Sequence, residues 1–293
     1  MKNKKNLDLQ YLDIKSQKDL KEVIFFLENG FKWSKDKSSL LYNKLPKINK
    51  QLNVHGIMIK AETDIVGAML FFHQGFLNIA NDKRPVVNMS SWYIHKEFRG
   101  LSTITFLRYM LDNFDNYIFT NYSANSAAEK ILIAVGFKKM QLRRATSLIS
   151  DCILNYSKIK IKDINKDSLN IENHIETYLD DGTDIRFLEL EIERNRIQLI
   201  VKKRILKRSL LGMKFNWRIT SIIWTSDETI VSKYWKKICN KLLLHTKSMK
   251  LTCDFSINFP IKAKEQDNNY LYFLNDGSLD YISPIQSEMN IFD

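Results

Sequence analysis

The chain has 293 residues and, with 45 Lys+Arg against 33 Asp+Glu, a formal net charge of +12. Its 44% hydrophobic and 27% charged residues exclude a long disordered, collagenous or fibrous polypeptide, and the length suits two domains of about 150 residues. Three widely spaced cysteines, Cys152, Cys239 and Cys253, form no Cys-x-x-Cys pair, which argues against a disulfide framework or a zinc site and for a reducing, cytoplasmic setting with no metal.

The basic start Met1-Lys-Asn-Lys-Lys5 is followed by no apolar core or cleavage site, so no signal peptide is expected. No run approaches the roughly 18 apolar residues of a membrane span; the nearest, residues 65–80, is broken by His73, Gln74 and two glycines.

In chain order, residues 7–14 alternate as a strand. Ser16 with Asp19 three positions later reads as a helix cap before Leu20, Val23, Ile24 and Leu27 recur at helical spacing, with Asn29-Gly30 as the stop. An irregular stretch follows through Pro46. Residues 55–61 and 65–72 are apolar runs joined by Glu62-Thr63-Asp64, a hairpin signal, and 86–94 is a third run. Residues 101–114 place Ile104, Leu107, Met110 and Leu111 on one helical face, 117–122 is β-rich, 126–135 is a helix closed by Gly136, and 138–149 reads as a strand. This order predicts an α/β domain over 1–150, a mixed sheet with helices packed on it.

The second half, 151–293, predicts another α/β domain. Residues 163–178 read as partly helical, 180–182 as a turn, and 186–193, 196–206 and 217–225 as strands. A helix over 227–245 has Ser226 as its cap, and strands at 251–257 and 270–274, with Pro260 in a loop between them, end the sheet. The pattern reads as a degenerate copy of the first domain's latter half.

The charge is uneven: residues 1–150 hold 23 Lys+Arg and 13 Asp+Glu, a balance of +10, whereas 151–293 hold 22 and 20, a balance of +2. A positive field favours an anionic partner, although a Lys-rich, AT-biased genome gives the same composition. No nucleic-acid motif accompanies the charge, so a nucleic-acid partner is not expected.

The informative segment is Trp92-Tyr93-Ile94-His95-Lys-Glu-Phe-Arg99-Gly100-Leu101-Ser102-Thr103, which leaves a strand and enters a helix directly. Free backbone N–H groups and the positive end of a helix dipole bind phosphate at such a turn, Arg99 adds charge, and Gly100, Ser102 and Thr103 allow close approach. A turn merely capped by Ser or Thr has the same residues. Downstream lies Asn125-x-x-Ala128-x-x-x-Leu132-x-x-x-Gly136-Phe137.

With both segments in view, residues 7–149 resemble the GNAT superfamily of acyl-coenzyme A-dependent N-acyltransferases. Its phosphate loop is Arg-x-x-Gly-x-Gly/Ala at a helix start, followed about 25 residues later by Asn-x-x-Ala-x-x-x-Tyr-x-x-x-Gly-Phe. Here Ser102 replaces the first loop glycine, Ile104 the small residue after it, and Leu132 the tyrosine that protonates the departing thiolate. The Arg-x-x-Ser form and the long carboxy-terminal extension also resemble bacterial proteins of surface-polysaccharide gene clusters.

The resemblance implies a GNAT-like fold, acetyl-coenzyme A or another acyl-coenzyme A as cofactor, and direct acyl transfer to an amine or hydroxyl. The pantetheine arm lies along residues 90–95, with an oxyanion-binding N–H near Tyr93 or Ile94 and Trp92 beside them. Arg99, Gly100, Leu101, Ser102 and Thr103 hold the pyrophosphate, and Asn125 lies near the pantetheine. His95 is the first candidate base and Ser123 a proton carrier; His55 and His73 are weaker candidates. The expected partner is a small-molecule acceptor, such as an amino sugar or sugar nucleotide. The basic cluster Lys202, Lys203, Arg204, Lys207 and Arg208, with Trp217 and Arg218, reads as its binding site or as a lysine-protected strand edge. A non-catalytic member that binds a nucleotide or protein partner is the alternative implied by Ser102, Ile104 and Leu132.

Overall fold

The structure, a computed structural model, describes residues 8–79, 82–122, 124–141, 143–151, 158–169, 185–210, 213–255 and 270–274. These fall into two units, one reaching Lys139 and including residues 271–274, the other running from Met140 to Tyr270.

The first unit begins with β1 (Leu9–Asp13) and α1 (Gln17–Phe31). The Asp19 N–H donates to Ser16 Oγ over 3.0 Å and the Ser16 N–H to the Asp19 carboxylate over 3.3 Å, the capping box its sequence predicts. The helix does not stop at Asn29-Gly30. It continues to Phe31 and ends on Lys32 in the left-handed region, φ 55°. Gly30 has a packing role: a Cβ there would lie 2.7 Å from the Tyr93 ring.

The stretch expected to be irregular is a second helix, α2 (Lys35–Ile48). Ser34 caps it, and Leu41, Leu45 and Ile48 are buried at helical spacing. Pro46 lies in its last turn, so the one bond it removes leaves the bonding of the preceding turns intact and the helix still forms.

The hairpin is β2 (Gly56–Ala61) and β3 (Asp64–Ile79), with Ala61 opposite Asp64 and Glu62 at φ 56° in the turn. Then follow β4 (Asp82–Ile94), α3 (Leu101–Asn113), β5 (Ile118–Asn121), α4 (Ser126–Ala134) and β6 (Lys138–Gln141). The buried face of α3 is Thr103, Phe106, Leu107 and Met110, rotated from the expected stripe so that Ile104 and Leu111 are half-buried. Phe106 lies on this face, its ring 6.3 Å from that of Tyr11 on β1.

Residues 138–149 are not one strand. After β6 the chain forms β7 (Arg143–Leu148), which pairs antiparallel with Lys250–Phe255 in the second unit. The second sheet is β8 (Ile159–Asp163), β9 (Ile185–Ile192), β10 (Asn195–Leu210), β11 (Met213–Thr225) and β12 (Lys250–Phe255), in the order β7-β12-β11-β10-β9-β8.

The helix expected over 227–245 is two, α5 (Glu228–Lys233) and α6 (Trp235–Thr246), broken at Tyr234. Its cap is Asp227, because Ser226 Oγ is taken by the Gln198 N–H at 2.9 Å. Leu188, Leu190, Leu199, Val201, Ile238, Cys239 and Leu242 form the core of this unit. The expected turn at 180–182, most of the expected helix at 163–178, and Pro260 lie outside the described residues.

The last strand, β13 (Tyr270–Leu274), does not end the second sheet. It pairs antiparallel with β5, Tyr272 opposite Asn121, and gives the first sheet the order β1-β2-β3-β4-β5-β13-β6. The two sheets share a pattern: antiparallel strands, a helical crossover to a parallel strand, then an antiparallel strand beside it. In the first sheet that final strand comes from the far end of the chain, and in the second it is β7, from the end of the first half. The architecture is thus α/β with two mixed sheets, as expected, and the second sheet matches the first in strand order except for β6, which has no counterpart.

Among the described residues no helix is long and apolar enough to cross a membrane. A fragment cut after residue 150 lacks the strand beside β5 and carries β7 without β12, two open edges. It is expected to aggregate when expressed alone and to become soluble on co-expression with 151–293, as read by size-exclusion chromatography.

Burial raises the hydroxyl pKa of Tyr11, Tyr117 and Tyr122 and, helped by a hydrogen bond to Asp13, pushes that of Tyr109 up to about 12. The folded state therefore holds protons that the unfolded chain releases near pH 10, so stability is full below about pH 10 and falls as pH rises towards 12. Tyr109→Phe should shallow that fall in urea titrations from pH 9 to 12.

Candidate functional site

β4 and β5 run parallel for only three pairs, Val86 with Ile118, Val87 with Phe119 and Asn88 with Thr120. Past Asn88 they part. Asn121, at the end of β5, reaches across and donates through Nδ2 to the Met89 carbonyl over 2.9 Å. On its other edge β4 bulges: Leu70 pairs with Ser90 and Ala68 with Tyr93, so Ser91 and Trp92 together oppose Met69. Ser91 has φ 51°. A bulge of this kind redirects backbone N–H groups away from the ladder.

Beyond Ile94 the chain turns through a short 3-10 segment, Lys96–Phe98, to Gly100, which starts α3 at φ 109° and ψ −124°. No side chain caps α3 and its first turn has no acid. The first amides and the positive dipole end are left for an anion. Arg99 Nε donates to the Ile94 carbonyl over 3.0 Å, and its guanidinium lies 5.8 Å from the Tyr93 ring centroid. The Ser102 hydroxyl donates to the Phe98 carbonyl. Leu101 is 84% exposed, whereas Thr103 is buried and its N–H donates to the Gly100 carbonyl.

Arg99, Gly100, Leu101 and Ser102 are therefore brought together at one turn, and Thr103 is the member turned towards the core. Tyr93 packs on α1, edge-on to Phe26 and Phe31 at 5.5 and 5.3 Å, while Ile94 is buried against Gly67. Trp92 is half-buried in the bulge. His95 is exposed one residue past β4, its N–H paired with the Val66 carbonyl. Ser123 lies outside the described residues.

Asn125 caps α4, its Oδ1 accepting from the N–H groups of Ala127 and Ala128 at 3.1 and 2.9 Å. Gly136, at φ 101°, closes that helix, with Gly136 N–H to Ile133 and Phe137 N–H to Leu132. Leu132 is fully buried. His73 is buried too and lies edge-on to Phe76 at 4.8 Å, and burial lowers the pKa of His55.

Of the basic cluster, Lys202 is buried and sits in β10 opposite both Ile185 of β9 and Ser221 of β11, an interior rather than an edge position. The side chains of Lys207 and Arg208 are outside the described residues. In the second unit the crossover helix begins differently: Asp227 Oδ1 accepts from the Ile230 N–H over 2.9 Å, so a fixed carboxylate occupies the helix start. The bulge and the Asn121 bridge leave no motif in the sequence.

The fold is that of the GCN5-related N-acetyltransferases. An enzyme of that description from Anabaena variabilis superposes with a TM-score of 0.63 at 11% identity, over 91% of this chain and 72% of that one. One from Kribbella flavida gives 0.58 at 12%, over 91% and 70%. The N-myristoyltransferase of Saccharomyces cerevisiae with bound myristoyl-CoA gives 0.51 at 10%, over 90% and 82%. No protein-family profile matches the sequence, and no curated protein matches it significantly.

Asn121→Ala would leave the buried Met89 carbonyl without this donor. It is expected to cost about 1–3 kcal/mol in urea unfolding.

Proposed function

We propose that the chain is an acyl-coenzyme A-dependent acyltransferase that passes an acyl group, acetyl in the simplest case, to an amine or hydroxyl of a small acceptor. The observation that carries this reading is the uncapped start of α3 placed directly after a strand that parts from its neighbour. The shared fold supports it, as does the myristoyl-CoA bound to the yeast relative.

In this reading the pyrophosphate rests on the amides of Leu101 and Ser102 with Arg99 swung towards it, and the pantetheine runs along residues 90–94 like an added strand. The thioester carbonyl lies at the bulge, where an N–H of Trp92 or Tyr93 stabilises the oxyanion. The acceptor heteroatom bonds to the carbonyl carbon, its proton passes to His95 directly or through water, and the carbon–sulfur bond breaks to release the thiolate. Leu132 offers no proton, so the thiolate takes one from solvent. An amino sugar or sugar nucleotide is the proposed acceptor. The buried Leu132 and the tied Ser102 hydroxyl favour, as a second reading, a binding protein without turnover.

Calorimetry should show saturable coenzyme A binding that weakens about tenfold or more in Arg99→Ala, from loss of a charge-assisted contact. A wild-type protein that binds no coenzyme A ends the proposal. Thiol release with a panel of amino sugars, dependent on His95, separates the enzyme from the inert protein.

A further inference from the structure

The register of the first sheet puts Phe72, Asn88 and Thr120 in one row, and Leu70 with Ser90 and Ala68 with Tyr93 on the same face. This is the face on which Tyr93 meets α1. The opposite face carries Phe71, Val87 and Phe119 and is closed by Phe114 at the end of α3, whose ring stands 5.6 Å from Phe71 at 90°.

Asn88 is 1% exposed, yet among the described residues neither its Nδ2 nor its Oδ1 has a hydrogen-bond partner. Beside it Thr120 Oγ1 donates to Gln74 Oε1 over 2.6 Å, and Gln74 in turn meets the Tyr122 hydroxyl, which burial keeps protonated. A buried amide with both ends unpaired costs stability that a core leucine would not. It is also the last β4 residue paired with β5 before the strands part.

We propose that Asn88 is a specificity-determining residue that reads a neutral amide group on the acceptor. The proposal rests on the acyl-transfer reading for its direction of approach. A thioester lying strand-like beside β4 keeps its carbonyl near the plane of the sheet, and a nucleophile must reach it from a face; α3 and Phe114 close one, and on the other, which carries Asn88, α1 meets β4 at Tyr93, five residues further along the strand. A side-chain amide offers one donor group and one acceptor, the complement of another amide. The polar side chains that register and hydrogen bonding place on this face beside Asn88, those of Gln74, Ser90, Thr120 and Tyr122, are neutral, so an ionic group paired only with them would be buried without a counter-charge.

The test uses the full chain and two matched probe pairs, N-acetylglucosamine with glucose and glycinamide with ethanolamine, followed by saturation-transfer NMR and calorimetry. The amide member of each pair should bind at least tenfold more tightly than its partner. Asn88→Leu should abolish that preference and raise the melting temperature by roughly 2–4 °C, since it removes an unpaired buried amide. Equal binding within both pairs overturns the proposal. So does a lower melting temperature in the variant, which would show the amide to be satisfied as part of the fold. If Asn88→Leu does not fold, Asn88→Ala reports the probe preference. Coenzyme A is titrated in parallel. Amide preference without coenzyme A binding removes the acyl-transfer reading and keeps the Asn88 site, whereas coenzyme A binding without amide preference does the reverse.

Discussion

Everything at the site depends on where β4 stops pairing with β5. Three parallel pairs hold the strands together as far as Asn88, and the next contact, from Asn121 to the Met89 carbonyl, is made by a side chain. Replacing a ladder bond by a side chain lets two strands separate while the Met89 carbonyl stays paired. The bulge at Ser91 and Trp92 then bends β4 and delivers it to Gly100, so one backbone path supplies both an open strand edge and an open helix start. A substrate that pairs with a strand and ends in phosphate meets both features in order along the chain.

The two units show how little separates an uncapped crossover from a closed one. Each sheet sends its chain from a central strand through a helix to a parallel neighbour. In the first, Gly100 starts the helix with no side-chain cap; in the second, Asp227 caps it and Glu228 adds a second acid in the first turn. A carboxylate at a helix start satisfies the amides and repels phosphate. On this ground the proposed pyrophosphate site falls in the first unit, which is also the half with the larger excess of basic residues.

What the sequence revealed follows from locality. Ser16 with Asp19, the Glu62 turn and the Gly136 ending were legible because each is settled within a few residues, and the strand-to-helix turn before α3 was legible because it is a continuous segment. Helix α2 was not, because Pro46 reads as a breaker unless its place in the last turn is known. Gly30 read as a stop because its partner, Tyr93, lies 63 positions away in sequence. The bulge, the Asn121 bridge and the unpaired Asn88 arise from pairing across strands, which no local pattern encodes. The basic cluster looked like a strand edge because alternation alone does not say how many neighbours a strand has.

The placement of β13 bears on the order in which the protein can be made. Asn121 waits for Tyr272, so the sheet that carries the site has a gap beside β5 until synthesis has passed residue 272. A ribosome adding about 5–20 residues per second spends several seconds or more between those two points. During that interval β5 has an unfilled side and the nascent chain is open to wrong pairings, a natural point for chaperone engagement. The sheet that carries the site is thereby completed only after residue 272 has emerged from the ribosome.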